Sequence, residues 1–235
     1  MAKKARKKAV GPTRKARGKT RGKTRGKTRD KTGGKTDGAD RIITAALALA
    51  AGRSWRRVRL VDIADEAGVT LAELRDAFST KAAIINGFVR RTDERVLAAD
   101  PAEGSSARDR LFDVLMRRFD VLQPDKEAVA MIVRDAFCNP LAFPLAALCH
   151  GPQLLASMAW MLEAAGLSSA GPAGMLRAKG LTLVYLAALR TWLRDDGADL
   201  AKTMAVLDRG LRQAETVASV LCPGKQAGTS EKSKA

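Results

Sequence analysis

One histidine and three cysteines are the whole supply of soft metal ligands and strong nucleophiles in this 235-residue chain. Cys138, Cys149 and Cys222 lack metal-ligand spacing and their odd number gives no disulfide framework, so buried or free thiols in a reducing cytoplasm are expected. Cys149 and His150 are adjacent, which on a helix turns them about 100° apart, so they do not form a nucleophile and base pair. Long apolar runs are missing too. The run from Ile42 to Ala51 is followed by Arg53 instead of a cleavage site, and Leu181 to Leu189 is too short to span a bilayer. The triplet GKT recurs, yet the phosphate-binding patterns GxxxxGKS and GxxxxGKT never occur, because no glycine stands at the required upstream position. No catalytic residue, metal or cofactor is therefore expected, and no stable membrane insertion.

Acids are nearly missing from the first part of the chain. Residues 1–36 hold 16 Lys and Arg against one acid, Asp30, whereas the remainder holds 26 against 24, so the formal +17 sits in the tail. That tail is a tandem repeat, RGKT at 17, 21 and 25, then RDKT at 29 and GGKT at 33. With few apolar side chains, recurrent glycine and like charges that repel, residues 1–38 read as a disordered polycation. The tail's lack of serine and of amphipathic pattern argues against an organelle presequence. A polycation anchors to DNA by counterion release without reading sequence, and RNA or an anionic lipid surface attracts it by the same physics.

The folded part opens on an amphipathic segment, Asp40 to Ala51, with Ile42, Ile43, Ala46, Leu47 and Ala50 on one face and Trp55 in the turn that follows. Leu60, Ile63, Ala64 and Ala67 then recur at helical spacing. Gly68 permits positive φ at that helix's end, and Thr70 caps a further helix carrying Leu74 and Phe78. This is a helix-turn-helix leaning on a first helix, a module that docks its last helix in the DNA major groove. Arg53, Arg56, Arg57 and Arg59 crowd the turn before the second helix, where phosphate contacts or plain solvation are the alternatives.

The skeleton of Ile42 to Ala46, Gly52 to Trp55, Asp62 to Ala64, Ala67 to Val69, Leu74, Phe78 and Lys81 resembles the N-terminal domain of TetR-type transcriptional regulators. The resemblance implies a three-helix DNA reader over 39–81 followed by a helical dimerisation and ligand domain over 82–221. Candidate DNA contacts are then Arg56, Arg57 and Arg59 before the second helix, Thr70, Leu71, Arg75 and Asp76 on the reading helix, and Lys81 after it. The surface departs from the family's habit, with Glu73, Arg75 and Ala77 where a small or hydroxyl residue, an aromatic phosphate contact and a His or Tyr are usual. Carboxylates repel phosphate, although an acid can accept from cytosine N4.

Beyond Lys81 the spacing predicts helices throughout: 82–99, 107–122 with Leu111, Leu115, Phe119 and Leu122 on one face, 126–138, 145–165, 173–194 and 199–221. Residues 222–235 read as a disordered polar tail. In the last helix Leu200, Met204, Leu207 and Leu211 begin a continuous apolar seam, which must pack on its own domain or on a second copy. The TetR resemblance implies dimerisation through the last two helices and so favours the second copy. Tyr185, Leu189, Trp192, Asp195, Asp196, Asp199, Thr203 and Leu207 resemble a second family, the lipid-binding proteins of ubiquinone biosynthesis. Met158, Met161, Leu162, Tyr185, Leu189 and Trp192 are candidate lining for a small apolar ligand or lipid, or else plain core.

The sequence thus reads as an all-α, TetR-like, ligand-responsive homodimer in the cytoplasm that binds double-stranded DNA at a palindromic operator. The alternative is a lipid-binding accessory protein for isoprenoid or quinone precursors.

Overall fold

Ile42, Ile43, Ala46, Leu47 and Ala50 are all buried, as their helical spacing predicts, on one face of helix α1 (Asp30–Gly52). A computed structural model describes residues 30–221 except 103, 138–141 and 198, and the expectations for most of the repeat, for the 222–235 tail, and for Cys138 and Cys222 lie outside the described residues. α1 starts inside the repeat, upstream of the expected boundary at 39. A packed helix is already nucleated, so adding residues costs only the local propensity, about 1 kcal/mol for each glycine relative to alanine.

The remaining elements follow the predicted punctuation. They are α2 (Leu60–Ala67), α3 (Leu71–Ala77), α4 (Lys81–Leu97), α5 (Ala107–Leu122), α6 (Lys126–Phe137), α7 (Ala142–Ala164), α8 (Gly171–Trp192) and α9 (Ala201–Leu221). Among the described residues there is no strand. One continuous core runs from Ile42 in α1 through Phe88 in α4 and Phe119 in α5 to Leu211 in α9. α1 packs on α6 and α4 packs on α7, so the first three helices are welded to the rest by apolar burial.

The apolar seam of α9 faces inward. Leu207 is 0 % exposed, Leu200 and Leu211 are buried and Met204 is half-buried, against α8 and α5 of the same chain. Leu200, Leu207 and Leu211 are therefore covered by their own chain instead of lying open to the second copy that the sequence implied, while Met204 stays partly exposed. Close approach of α8 enforces this. A Cβ at Gly210 would stand 2.8 Å from Val184 Cγ1, so only glycine lets the two helices lie this near. The hairpin is locked at its turn, where the Asp195 carboxylate accepts from the Thr203 N–H at 3.0 Å and the Thr203 hydroxyl at 2.9 Å.

Five of the six residues expected to line a ligand pocket lie in the core. Met158, Met161, Leu162, Tyr185 and Trp192 are buried and Leu189 is half-buried. The Phe119 ring stacks on Tyr185 at 5.5 Å and tilts against Trp192 at 5.7 Å, so these side chains pack on one another. The Trp192 indole N–H donates to Gln123 Oε1 at 3.0 Å, which satisfies its one polar group inside the core. Behind this layer sits a buried ion pair, Arg118 of α5 with Asp93 of α4, whose Oδ1 also accepts from the Ser157 hydroxyl of α7 at 2.7 Å. His150 is half-buried and its Nδ1 lies 2.8 Å from Asn86 Oδ1, clipping α7 to α4; burial lowers its pKa.

Candidate DNA-binding interface

Two short helices set at an angle require a tight reversal, and Gly68 supplies it with φ 62° and ψ 39°. Its N–H caps α2 by donating to the Ala64 and Asp65 carbonyls. α3 then begins in a capping box. The Glu73 N–H donates to Thr70 Oγ1 at 3.2 Å, while the Glu73 carboxylate accepts from the Thr70 N–H at 2.8 Å and the Thr70 hydroxyl at 2.9 Å. Those bonds, the backbone one foremost, hold the Glu73 carboxyl below its usual pKa range. The acid that seemed to spoil the reading helix is turned onto the helix's own amides, where the dipole favours it.

Only Leu74 of α3 is buried. Leu71, Ala72, Arg75 and Asp76 are exposed, and the i, i+4 spacing sets Leu71 above Arg75 and Ala72 above Asp76 on one outward face. Leu71 is 52 % exposed at the start of the helix. Arg75 makes no hydrogen bond or ion pair with the described residues. The face thus offers a thymine-methyl partner, a guanidinium and one carboxylate, which suffices for base-edge chemistry. Beside it a groove of about 790 Å³ runs between α1, α3 and α4, floored by Ile42, Ile43, Val69 and Phe78, with Asp76 and Glu94 at its rim. A smaller hollow of about 380 Å³ lies between α5 and α9, beside Phe112 and Met204. Neither is lined by the six expected pocket residues.

The four arginines before α2 divide into two pairs. Arg59 and Arg53 both reach Asp62, at 2.7 Å and 3.1 Å, and that carboxyl is lowered to about 2, chiefly by the Arg59 side-chain hydrogen bond. Arg59 also caps α2 through Asp62, which accepts its N–H at 2.9 Å. Arg56 and Arg57 are exposed on a single 3-10 turn, Trp55–Arg57, where their guanidinium groups make no hydrogen bond or ion pair with the described residues, although the Arg56 charge helps to hold the Asp135 carboxyl ionised. Lys81 is placed differently from a plain phosphate ligand. Its ammonium donates to the Trp55 carbonyl and to the Val58 carbonyl at 2.6 Å, and stands 4.2 Å from the Trp55 ring centroid. Partial burial pushes its pKa down.

No protein-family model matches the chain, and no curated protein is significantly similar to it. Solved structures do match. A TetR transcriptional regulator from Nitrosomonas europaea ATCC 19718 superposes with a TM-score of 0.57 at 25 % identity, over 76 % of this chain and 98 % of its own. A TetR transcriptional regulator from Rhodococcus sp. RHA1 gives 0.57 at 19 % identity, over 77 % of this chain and 97 % of its own. The chain has the TetR-regulator fold. Within this TetR-like frame the helix-turn-helix resemblance is matched by geometry at Gly68, Thr70, Leu74 and Phe78. The residues carrying the second resemblance, Tyr185, Trp192, Asp195, Thr203 and Leu207, are those that pack and lock the α8–α9 hairpin. One residue at the site is invisible to sequence reasoning. Asp135 of α6 reaches back to the Ser54–Arg56 turn from some 80 residues away, and no local pattern announces it.

Proposed function

We propose that the chain is a DNA-binding transcriptional regulator working as a homodimer, with α3 as the reading helix and Arg56 and Arg57 as phosphate contacts. The observation that carries this reading is the outward face of α3. Leu71, Arg75 and Asp76 stand exposed while Glu73, the acid nearest the helix start, is folded into the cap. Residues 1–29 hold 14 Lys and Arg and no acid, and supply a sequence-blind anchor to the backbone beside that reader. A role on DNA agrees with the cytoplasmic location expected from the free thiols. The reading requires no apolar ligand; five of the six candidate lining residues are buried core and Leu189 packs partly buried against them, which lends the lipid-binding alternative no support.

The seam of α9 being internal, the dimer face moves to the outer side of α8 and α9. Leu176 and Leu183 of α8 and Val217 of α9 are exposed, and Leu176 and Leu183 stand one heptad apart on one side of α8. A two-fold pair of such faces would present two α3 helices to half-sites about 34–36 Å apart or a multiple of that, hence a palindromic operator.

Selection of bound duplexes from a random pool, with protein lacking residues 1–29, tests the whole reading. A recovered palindrome is the expected result, and recovery of no sequence preference would sink it. Deleting residues 1–29 is also expected to weaken binding on all duplexes alike and to flatten the dependence of log K on log salt, by about 0.9 for each phosphate the arm had neutralised. Titrations at several salt concentrations check this, and an unchanged slope means the arm is no phosphate ligand. Arg75→Ala is expected to cost about 1–3 kcal/mol on the selected operator, whereas Asp76→Ala is expected to alter base preference more than strength. Competition between operator and variant duplexes separates the two effects, and unaltered affinity and preference in both variants would remove α3 from the reading role.

A further inference from the structure

The turn that carries Arg56 and Arg57 is gripped from two directions. Within it the Arg57 N–H donates to the Ser54 carbonyl at 3.0 Å and the Val58 N–H to the Trp55 carbonyl at 3.2 Å, which leaves the Arg56 N–H, the Val58 carbonyl and the second lone pair of the Trp55 carbonyl without a partner inside the turn. An isolated turn of this length is marginal in water. On its carbonyl side the Lys81 ammonium of α4 takes up Trp55 and Val58. On its amide side Asp135 Oδ2 accepts from the Ser54 hydroxyl at 2.7 Å and from the Arg56 N–H at 3.1 Å. Burial opposes ionisation of Asp135 but is outweighed by these bonds, so its carboxyl lies below the usual range and carries its charge at neutral pH.

The two clamps differ in origin. Lys81 stands at the start of α4, separated from the end of α3 by residues 78–80 alone. Asp135 belongs to α6, in the C-terminal part, where α6 packs along α1. We propose that Asp135 is a positioning residue of the DNA interface: by pinning the Ser54–Arg56 backbone to α6, it holds the Arg56 and Arg57 guanidinium groups where phosphate meets them, and it transmits the placement of α6 to DNA affinity. This rests on the DNA-binding reading above. The physical basis is preorganisation. A turn already fixed loses less conformational freedom on meeting phosphate than one that must order at that moment, and both arginines inherit the benefit because both project from the same three-residue turn. Asp135 is an acid beside a phosphate-binding turn, a position where charge alone would oppose binding. Its bonds, to the Ser54 hydroxyl and the Arg56 N–H, are made to the turn itself, and its charge also attracts the Arg56 guanidinium, so it braces the turn from which both cations project.

The test uses the full chain and an unrelated duplex, so that only backbone contacts are read. Asp135→Asn keeps the shape but loses the charge and offers one acceptor oxygen where the carboxylate had two. It is expected to lower the log K against log salt slope by up to about 1.8, two phosphates at about 0.9 each. Amide exchange at Arg56 should quicken while the far-UV dichroism stays unchanged. Asp135→Glu should restore part of the slope. In an Arg56→Ala, Arg57→Ala background, Asp135→Asn should change the slope no further, because the cations it positions are gone. An unchanged slope and unchanged Arg56 exchange overturn the proposal, as does an undiminished effect of Asp135→Asn in the doubly substituted background. If Asp135→Asn fails to fold, Ser54→Ala removes one of the two donors and gives the same readouts on a folded chain. A wild-type protein that binds no duplex overturns the DNA reading itself, and the Arg56 exchange rate then reports separately on whether Asp135 holds the turn.

Discussion

Leu207→Lys is expected to unfold the chain, while Leu183→Lys is expected to leave it folded and monomeric. Leu207 is fully buried between α9 and its own neighbours, so the substitution forfeits roughly 1.5–3 kcal/mol of apolar burial and adds a charge with no partner. Together these consume most of the ~5–15 kcal/mol that separates a typical domain from its unfolded state. Leu183 is 71 % exposed in the single chain, so placing a lysine there disturbs the protomer by less than about 0.5 kcal/mol. In a dimer built on the outer face of α8 the same lysine would lie against its symmetry mate and repel it. Sedimentation beside far-UV dichroism distinguishes the outcomes. A folded Leu183→Lys dimer would place the interface elsewhere and remove the geometric basis for a palindromic operator.

Asp93→Ala is expected to destabilise the chain by about 3–5 kcal/mol, far more than the size of the truncation suggests. It strands Arg118, which is 2 % exposed and whose Nε has no partner, without the one carboxylate that neutralises it. The Ser157 hydroxyl loses its acceptor in the same step. Replacing both members by apolar residues of similar volume, Asp93→Leu with Arg118→Met, is expected to recover most of the loss, since a buried pair often does little better than a hydrophobic substitute. Urea unfolding midpoints of the two single variants and the double variant give the coupling directly. A loss below about 1 kcal/mol for Asp93→Ala would mean that water reaches the pair, and the ion pair would no longer count as buried.

The reader was legible because its signals are local. Gly68, the Thr70 cap, and Leu74 followed by Phe78 each depend on neighbours within one or two turns, and each stands in the structure as the sequence implies, whereas the engagement of Glu73 in that cap went unread. The neighbour of the α9 seam was not legible, for a physical reason. A seam such as Leu200 to Leu211 reports that one side of a helix is apolar, not which neighbour covers it. α8 hid the better candidate, because Leu181 and Tyr185 point inward while Leu176 and Leu183 point outward, and a helix apolar on both sides has no period to reveal its exposed stripe. The pocket assignment meets the same ambiguity, since the methionines and aromatics that line a cavity are also those that fill one. Trp160, at 59 % exposed among buried Met158 and Met161, shows how finely one helix divides such residues between core and surface.

The unbroken core from Ile42 to Leu211 bears on how this chain could be taken apart. Cutting it at 81 to obtain a portable reader would strip α1 of its cover from α6 and leave α4 behind, exposing Ile43, Leu47 and Phe78 to water together. The reader is therefore not a cassette. Grafting it onto another body would demand a helix in the place of α6 with an apolar face toward α1 and an acid near its end, so recombination among relatives should respect the α1–α6 contact more strictly than the nominal boundary after Lys81. The same continuity makes melting of the described region a single cooperative event, in which the reader has no melting temperature of its own.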